Sequence, residues 1–289
     1  MILIQKNGAK VSGVDVLYGD RSDRLKLRFS GPQRAWFLHQ ILTQEFEDIA
    51  PGEAREAAML TAHGRMVGYL EVLATDDALL AHMEPGLTDF PEAIRRYVFA
   101  TQVEIDDVSD TMALILVTGP DHQEAAGIIP HAHVQPTHAL GVPAAYLWVP
   151  ASDEDSALRA LEDSGALRAT EEELETIRIR NGAPRWGKDM DTKTFPQEAG
   201  IDGYAVHFEK GCYVGQEAMA KIHFRGKVNR RLALLEGGNL EERSDVSVDD
   251  AKVGTVTSSV PGFALAMIKY TIEPGTVVRV GEVEAKVAG

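Results

Sequence analysis

Short apolar runs separated by turn residues recur along this chain, interleaved with stretches of helical period. Met112-Ala-Leu-Ile-Leu-Val-Thr118 is continuously apolar and is closed by Gly119-Pro120-Asp121, the pattern of a strand buried on both faces. Residues 78–81 and 144–149 read the same way. Between residues 33 and 44, Trp36, Phe37, Gln40 and Ile41 recur at helical spacing and predict a helix with one buried face. Thr170-Glu171-Glu172-Glu173 is a capping box with acids in the first turn. Its helix carries Leu174 and Ile177 on one face and Arg178 and Arg180 in the last turn, and Gly182 and Pro184 stop it. Strands and helices interleave without strict alternation, which favours an α+β fold over a doubly wound parallel sheet. After Arg231 the pattern shortens. Residues 232–235, 253–257, 263–268 and 276–280 are brief strands between Gly-, Pro- and Asp-rich turns, as in a small antiparallel barrel or sandwich. The boundary falls near residues 226–231, giving an α+β region over 1–228 and a β domain over 229–289.

Composition narrows the class. With 44% hydrophobic and 25% charged residues in 289, the chain reads as an ordinary soluble globular protein, long enough for two domains. No run approaches the roughly 20 apolar residues of a membrane span. Met1-Ile2-Leu3-Ile4-Gln5-Lys6 shows no signal-peptide core, and a single cysteine adds to the expectation of a cytoplasmic protein. A net charge of −15 argues against non-specific nucleic-acid binding. The charge is uneven, however. Residues 152–175 hold nine acids against two arginines, a solvated face. Residues 218–235 invert this, with Lys221, Arg225, Lys227, Arg230 and Arg231 and no acid. Such a stretch suits a small anionic ligand, or else a hinge whose bases pair with acids elsewhere.

The cysteine sits in Lys210-Gly211-Cys212-Tyr213-Val214-Gly215-Gln216-Glu217. A lone thiol forms no internal disulfide and builds no four-ligand metal site by itself. Lys210 brings a positive charge, and Gly215 reads as a turn into a short helix, so both favour a thiolate at Cys212. A buried cysteine acting as a small hydrophobe is the alternative. His131, His133 and His138 form a weak metal-binding pattern without a carboxylate in view, so no metal is expected.

The cysteine segment, with Lys221 after it, resembles the signature Lys-Gly-Cys-Tyr-x-Gly-Gln-Glu-x-x-x-Lys/Arg of YgfZ-type folate-binding proteins, relatives of the glycine-cleavage T-protein (aminomethyltransferase). The resemblance extends in order through Trp36-Phe-Leu-His-Gln-Ile-Leu-Thr43, Ala62-His-Gly-Arg-Met66, Thr118-Gly-Pro-Asp121, Pro196-Gln-Glu-Ala-Gly200 and Val253-Gly-Thr-Val-Thr-Ser-Ser259. It implies intertwined α+β modules around a central channel, followed by a small C-terminal antiparallel β-barrel. It also implies a tetrahydrofolate-binding accessory protein of iron–sulfur cluster assembly or repair. Tetrahydrofolate or a one-carbon derivative would be the ligand, and iron–sulfur proteins or cluster-assembly factors the partners. Cys212 would then be the reactive thiol with Lys210 beside it. Glu198 would hold the pterin, Arg230 or Arg231 the anionic tail, and Tyr213 and Gln216 are further binding candidates. In one segment the chain departs from the aminomethyltransferases. Their Gly-Gly-x-x-Asp-Asp-like segment corresponds to Gly64-Arg65-Met66-Val67-Gly68-Tyr69, which lacks both acids. Glu71 lies two residues beyond, an offset of several ångströms on a strand. The expectation is folate binding without aminomethyl transfer. A genuine aminomethyltransferase is the alternative, and a folate-dependent demethylase or oxidase is weakened by the lack of a nucleotide-binding segment.

Overall fold

The computed structural model describes residues 15–226 and 228–289; residues 1–6 and Lys227, discussed above, lie outside the described residues. The chain runs through β1 (Leu17–Asp20), β2 (Leu25–Ser30), α1 (Arg34–Ile41), β3 (Ala54–Leu60), β4 (Met66–Ala74), β5 (Leu79–Met83), α2 (Phe90–Arg95) and β6 (Glu104–Asp107). There follow β7 (Met112–Thr118), α3 (His122–Ile128), β8 (His133–Thr137), β9 (Ala144–Pro150), α4 (Glu154–Asp163), β10 (Leu167–Arg168) and α5 (Glu171–Arg180). Three helices come next: α6 (Pro196–Ala199), α7 (Asp202–Ala205) and α8 (Gln216–Arg225). The chain ends in β11 (Arg230–Gly237), β12 (Asp245–Val248), β13 (Ala251–Val260), β14 (Phe263–Lys269), β15 (Val277–Val280) and β16 (Val283–Val287).

The strands form two five-stranded sheets, ordered β3-β4-β5-β2-β6 and β10-β1-β7-β9-β8, and a closed six-stranded barrel, β11-β14-β13-β12-β15-β16. Among the described strands only β1 and β10 pair in parallel. The α+β class and the C-terminal antiparallel barrel are therefore present.

The continuous apolar run of β7 follows from its place between two cores. Ala113, Ile115 and Val117 pack beneath α3 and α4 with Ala125, Ala126, Ala157 and Leu161. Leu114 and Leu116 face the other way, toward Leu73 of β4, Leu80 of β5 and Leu174 and Ile177 of α5. The two sheets thus pack face to face, with α5 closing one end. α5 begins as its capping box dictates: the Thr170 hydroxyl accepts from the Glu173 N–H at 3.2 Å, and Glu173 accepts from the Thr170 N–H at 2.8 Å. Its far end reaches the barrel. Arg178, buried, donates to Asp189 at 2.6 Å and to the Ser258 hydroxyl of β13 at 3.0 Å.

Two details differ from the sequence reading. In α1 the buried face is Phe37, Leu38, His39 and Ile41, while Trp36 stands 43% exposed. The helix is two turns long and only one side of it meets β3 and its neighbours, so an aromatic on the other side stays in water. β12 and β16 also close the barrel without having been anticipated, since each carries apolar residues only at alternate positions of a four- or five-residue run. Among the described residues no helix is long and apolar enough to cross a membrane.

Candidate functional site

Strand register builds a polar row inside the space between the two sheets. Glu56 of β3 pairs with Glu71 of β4, Glu71 with His82 of β5, and His82 with Lys26 of β2. Residues at matched register project from the same face, so four polar side chains stand in line across four strands. All four are buried. They lie on the face that also carries Leu73 and Leu80, the face that looks toward the second sheet.

Each member finds a partner, because burial without one would be costly. Glu56 accepts from the Tyr69 hydroxyl, and from both the backbone N–H and Nδ1 of His138 at 2.8 Å. Glu71 accepts from the Thr137 hydroxyl at 2.6 Å and has the Arg24 guanidinium at 3.6 Å. Burial, then the neighbouring Glu56 charge, pushes the Glu71 carboxyl up to about 8, so it is largely protonated at neutral pH. His82 accepts from Arg24 through Nδ1 at 3.1 Å, and burial and the Arg24 charge hold its pKa well below the usual range. The imidazole is therefore neutral, with its Nε2 unpartnered 4.0 Å from Glu71. Lys26 turns its ammonium to the Ser22 and Arg24 carbonyls at 2.6 and 2.9 Å.

Two cavities adjoin the row. A deep one of about 40 Å³ is lined by Arg24, Glu71, His82, Tyr146 and Trp186. An open one of about 740 Å³ lies beside Arg55, Pro136, Thr137, Val142 and His207. Glu56, His138 and Tyr204 line both. The His138 and Tyr204 rings stack there, with centroids 4.4 Å apart, forming a flat aromatic wall beside the buried carboxylates. The larger volume lies within the range that holds a drug-sized ligand, some 300–1,000 Å³.

None of the binding residues nominated from sequence lines either cavity. Glu198 is buried and accepts from Arg65 at 2.9 Å, from Arg230 at 3.0 and 3.2 Å, and from the Phe195 N–H at 2.9 Å. Arg230 also donates to the Lys193 carbonyl at 2.8 Å, and Arg231 donates to the Ile272 carbonyl at 3.1 Å. Arg230 thus joins the barrel to α6 and the segment before it, whereas the Arg231 bond stays within the barrel domain. Tyr213 is buried with its hydroxyl unpartnered, its ring 5.1 Å from the Lys210 ammonium. Gln216 opens α8 and donates to the Lys210 carbonyl at 3.2 Å.

Lys210 lies inside the fold. Its ammonium is buried and is directed at the carbonyls of His39, Leu42 and Gln44, the last two at 2.8 Å. Its three donors thus close the C-terminal end of α1, and none remains for the thiol. Cys212 itself is exposed, three residues before Gly215, which caps α8 with φ +88°. Only glycine fits that cap, since a Cβ would stand 2.6 Å from the Thr61 carbonyl.

The sequence signal for the polar row was a charged residue inside an apolar strand: Glu56, Glu71 and His82 each interrupt one. Glu71 was noticed and set aside because of its offset. The structure brings it into the inter-sheet space together with Tyr69, two residues earlier on the same face of β4, whose hydroxyl reaches Glu56. Gly68, one of the two positions that match the missing acids, points the opposite way. A Cβ there would stand 2.4 Å from the Phe90 ring, so no side chain fits.

No family model matches the chain. Over 92% of its length it is 27% identical to a chloroplastic protein of Arabidopsis thaliana named as a transferase, covering 68% of that protein. It is also 27% identical over 83% of its length to an aminomethyltransferase of Rubrobacter xylanophilus, covering 70% of it. The crystal structure of the glycine-cleavage aminomethyltransferase T of Bartonella henselae superposes with a TM-score of 0.84 at 15% identity, over 96% of this chain and 86% of that one. The sequence relatives and the shared fold together place the chain in the aminomethyltransferase superfamily.

Proposed function

We propose that the chain binds tetrahydrofolate or a one-carbon derivative in the inter-sheet cavity and serves iron–sulfur cluster assembly or repair through Cys212, in the cytoplasm. The observation that carries the folate reading is the open cavity of about 740 Å³ with Glu56 and the His138–Tyr204 stack in its lining, while Glu71, the register partner of Glu56, lines the small cavity that shares those three residues. A pterin presents an amino group and ring N–H groups beside an oxo group, so it needs an acceptor and a donor side by side. An ionised carboxylate offers about four lone-pair sites, and Glu56 has three donors on them. One site is left to accept from the pterin. Glu71, protonated near neutrality, supplies a donor for the oxo group. The stacked rings provide the flat apolar surface that the aromatic middle of a folate needs. This reading moves the pterin from Glu198, whose carboxylate is already held by two arginines, to the buried pair.

The chain is proposed not to transfer aminomethyl groups. Gly68 has no room for an acid, and Tyr69 beside it brings no carboxylate. The aminomethyltransferase names of its relatives favour the second reading, that it does transfer them. Two measurements test the proposal. Calorimetric titration with 5-formyltetrahydrofolate should show binding that weakens by about 1–3 kcal/mol in Glu56→Gln, with Glu198→Ala run alongside. Unchanged affinity in Glu56→Gln and a loss in Glu198→Ala would return the pterin to Glu198. Ammonia release from an aminomethylated lipoyl carrier plus tetrahydrofolate, at about 1 s⁻¹ or faster, would establish the transferase instead.

A further inference from the structure

At the edge of the open cavity, whose lining includes Glu45, the geometry points to a divalent transition-metal site formed by His39, Glu47 and Cys212, with Glu45 orienting the imidazole. The ligand atoms offered by His39, Glu45 and Glu47 lie within 4.8 Å of one another. His39 is buried at the end of α1, and only one of its ring nitrogens is hydrogen-bonded, the other facing a carboxylate. Nδ1 meets Glu45 Oε1, which also accepts the Phe46 and Glu47 N–H groups at 2.8 Å each. An oxygen already accepting two N–H groups is an acceptor, so Nδ1 donates to it, and Nε2 is the ring nitrogen left to meet an ion. A carboxylate behind the far nitrogen is the usual support of a metal-binding histidine.

The bare Nε2 makes no hydrogen bond and faces Glu47 Oε2 at 3.7 Å. Two donors each about 2.1 Å from one ion, at an angle near 120°, stand about 3.6 Å apart. The space beside Nε2 is kept open by a glycine: a Cβ on Gly211 would lie 3.3 Å from it. Cys212 is the next residue and is exposed, and its sulfur is the third donor of the proposed site, reached by a change of side-chain rotamer. A nitrogen, a carboxylate oxygen and a thiolate suit Zn²⁺, Fe²⁺ or Co²⁺ rather than Ca²⁺ or Mg²⁺. Water completes the coordination, and the thiol proton passes to solvent on binding.

The test uses the full chain stripped with chelator, titrated with Zn²⁺ by calorimetry and with Co²⁺ by absorption. One equivalent of Zn²⁺ should bind, at least about tenfold more weakly in Glu47→Gln and about 10–100-fold more weakly in Glu45→Gln. Glu47 is a surface side chain, so its variant should keep the native melting curve. Co²⁺ should give a thiolate-to-metal charge-transfer band that Cys212→Ser abolishes. No Zn²⁺ binding, or binding that Glu47→Gln leaves unchanged, would reduce the cluster to an ion pair and overturn the site. Co²⁺ binding without the charge-transfer band would overturn the role of Cys212.

Discussion

Lys210 and Glu71 show what single residues add beyond their motif or pattern. The sequence placed Lys210 beside Cys212 and suggested a charge for the thiol, but chain proximity does not fix where a long side chain points. The ammonium is drawn instead to α1, whose last carbonyls need donors. Lys210→Met should therefore destabilise the protein by about 2–3 kcal/mol in urea denaturation, because buried carbonyls lose their partners. A variant as stable as the parent would show that these carbonyls are satisfied without it. Glu71 leads to a pH prediction. Its folded pKa of about 8 stands above the ordinary value of 4.5, so the native state binds this proton more tightly than the unfolded chain. The resulting stabilisation is complete below pH 4.5 and is lost as the pH rises through 8. His138, whose pKa is raised by its bond to Glu56, adds to the loss above 6.5, while the lowered pKa of His82 makes stability rise with pH below 6.5. The difference between parent and Glu71→Gln isolates Glu71. The melting temperature of Glu71→Gln should fall less between pH 5 and 8 than that of the parent, and parallel curves would refute the shift.

Among the elements, the long apolar runs and the capped helix were legible because each pattern answers to a single local cause. β7 is apolar throughout because it has a core on each face, and α5 starts where Thr170 and Glu173 exchange hydrogen bonds. The polar row was not legible, since it exists only when β2, β3, β4 and β5 are in register, and register is set by the whole sheet. The barrel junction lies between these cases. The basic stretch was visible, but its partner Glu198 is 32 residues from Arg230 in sequence, and the clamp with Arg65 needs the folded chain. At Gly68 the element also limits what can be engineered. An aspartate placed there to restore the acid of the aminomethyltransferases would drive its Cβ into the Phe90 ring at 2.4 Å. Gly68→Asp should thus lower stability by roughly 3 kcal/mol or more and yield no ammonia-releasing activity. A stable, active variant would mean that α2 yields easily and that the acid alone separates this chain from the transferases.

In the whole molecule, the proposed folate cavity and the thiol are served by different parts of the fold, and this separates their effects. Glu56, Glu71, His138 and Tyr204 line the inter-sheet cavities, whereas Cys212 stands exposed in the turn before α8 and lines neither. A ligand that binds only the native state stabilises it by about 2.7 kcal/mol at a hundredfold excess over its Kd. Saturating 5-formyltetrahydrofolate should accordingly raise the melting temperature of the parent and of Cys212→Ser by the same amount, a few degrees for a chain of this size. Glu56→Gln should show a smaller rise at the same concentration. In cells lacking the protein the pattern should invert. Cys212→Ser should fail to restore the activity of iron–sulfur enzymes although it binds folate, because removing the sulfur leaves the cavity untouched. If Cys212→Ser instead loses both the folate-induced rise and the cellular activity, the turn before α8 and the cavity form one site. Sulfur and folate would then have to be read as parts of a single chemistry.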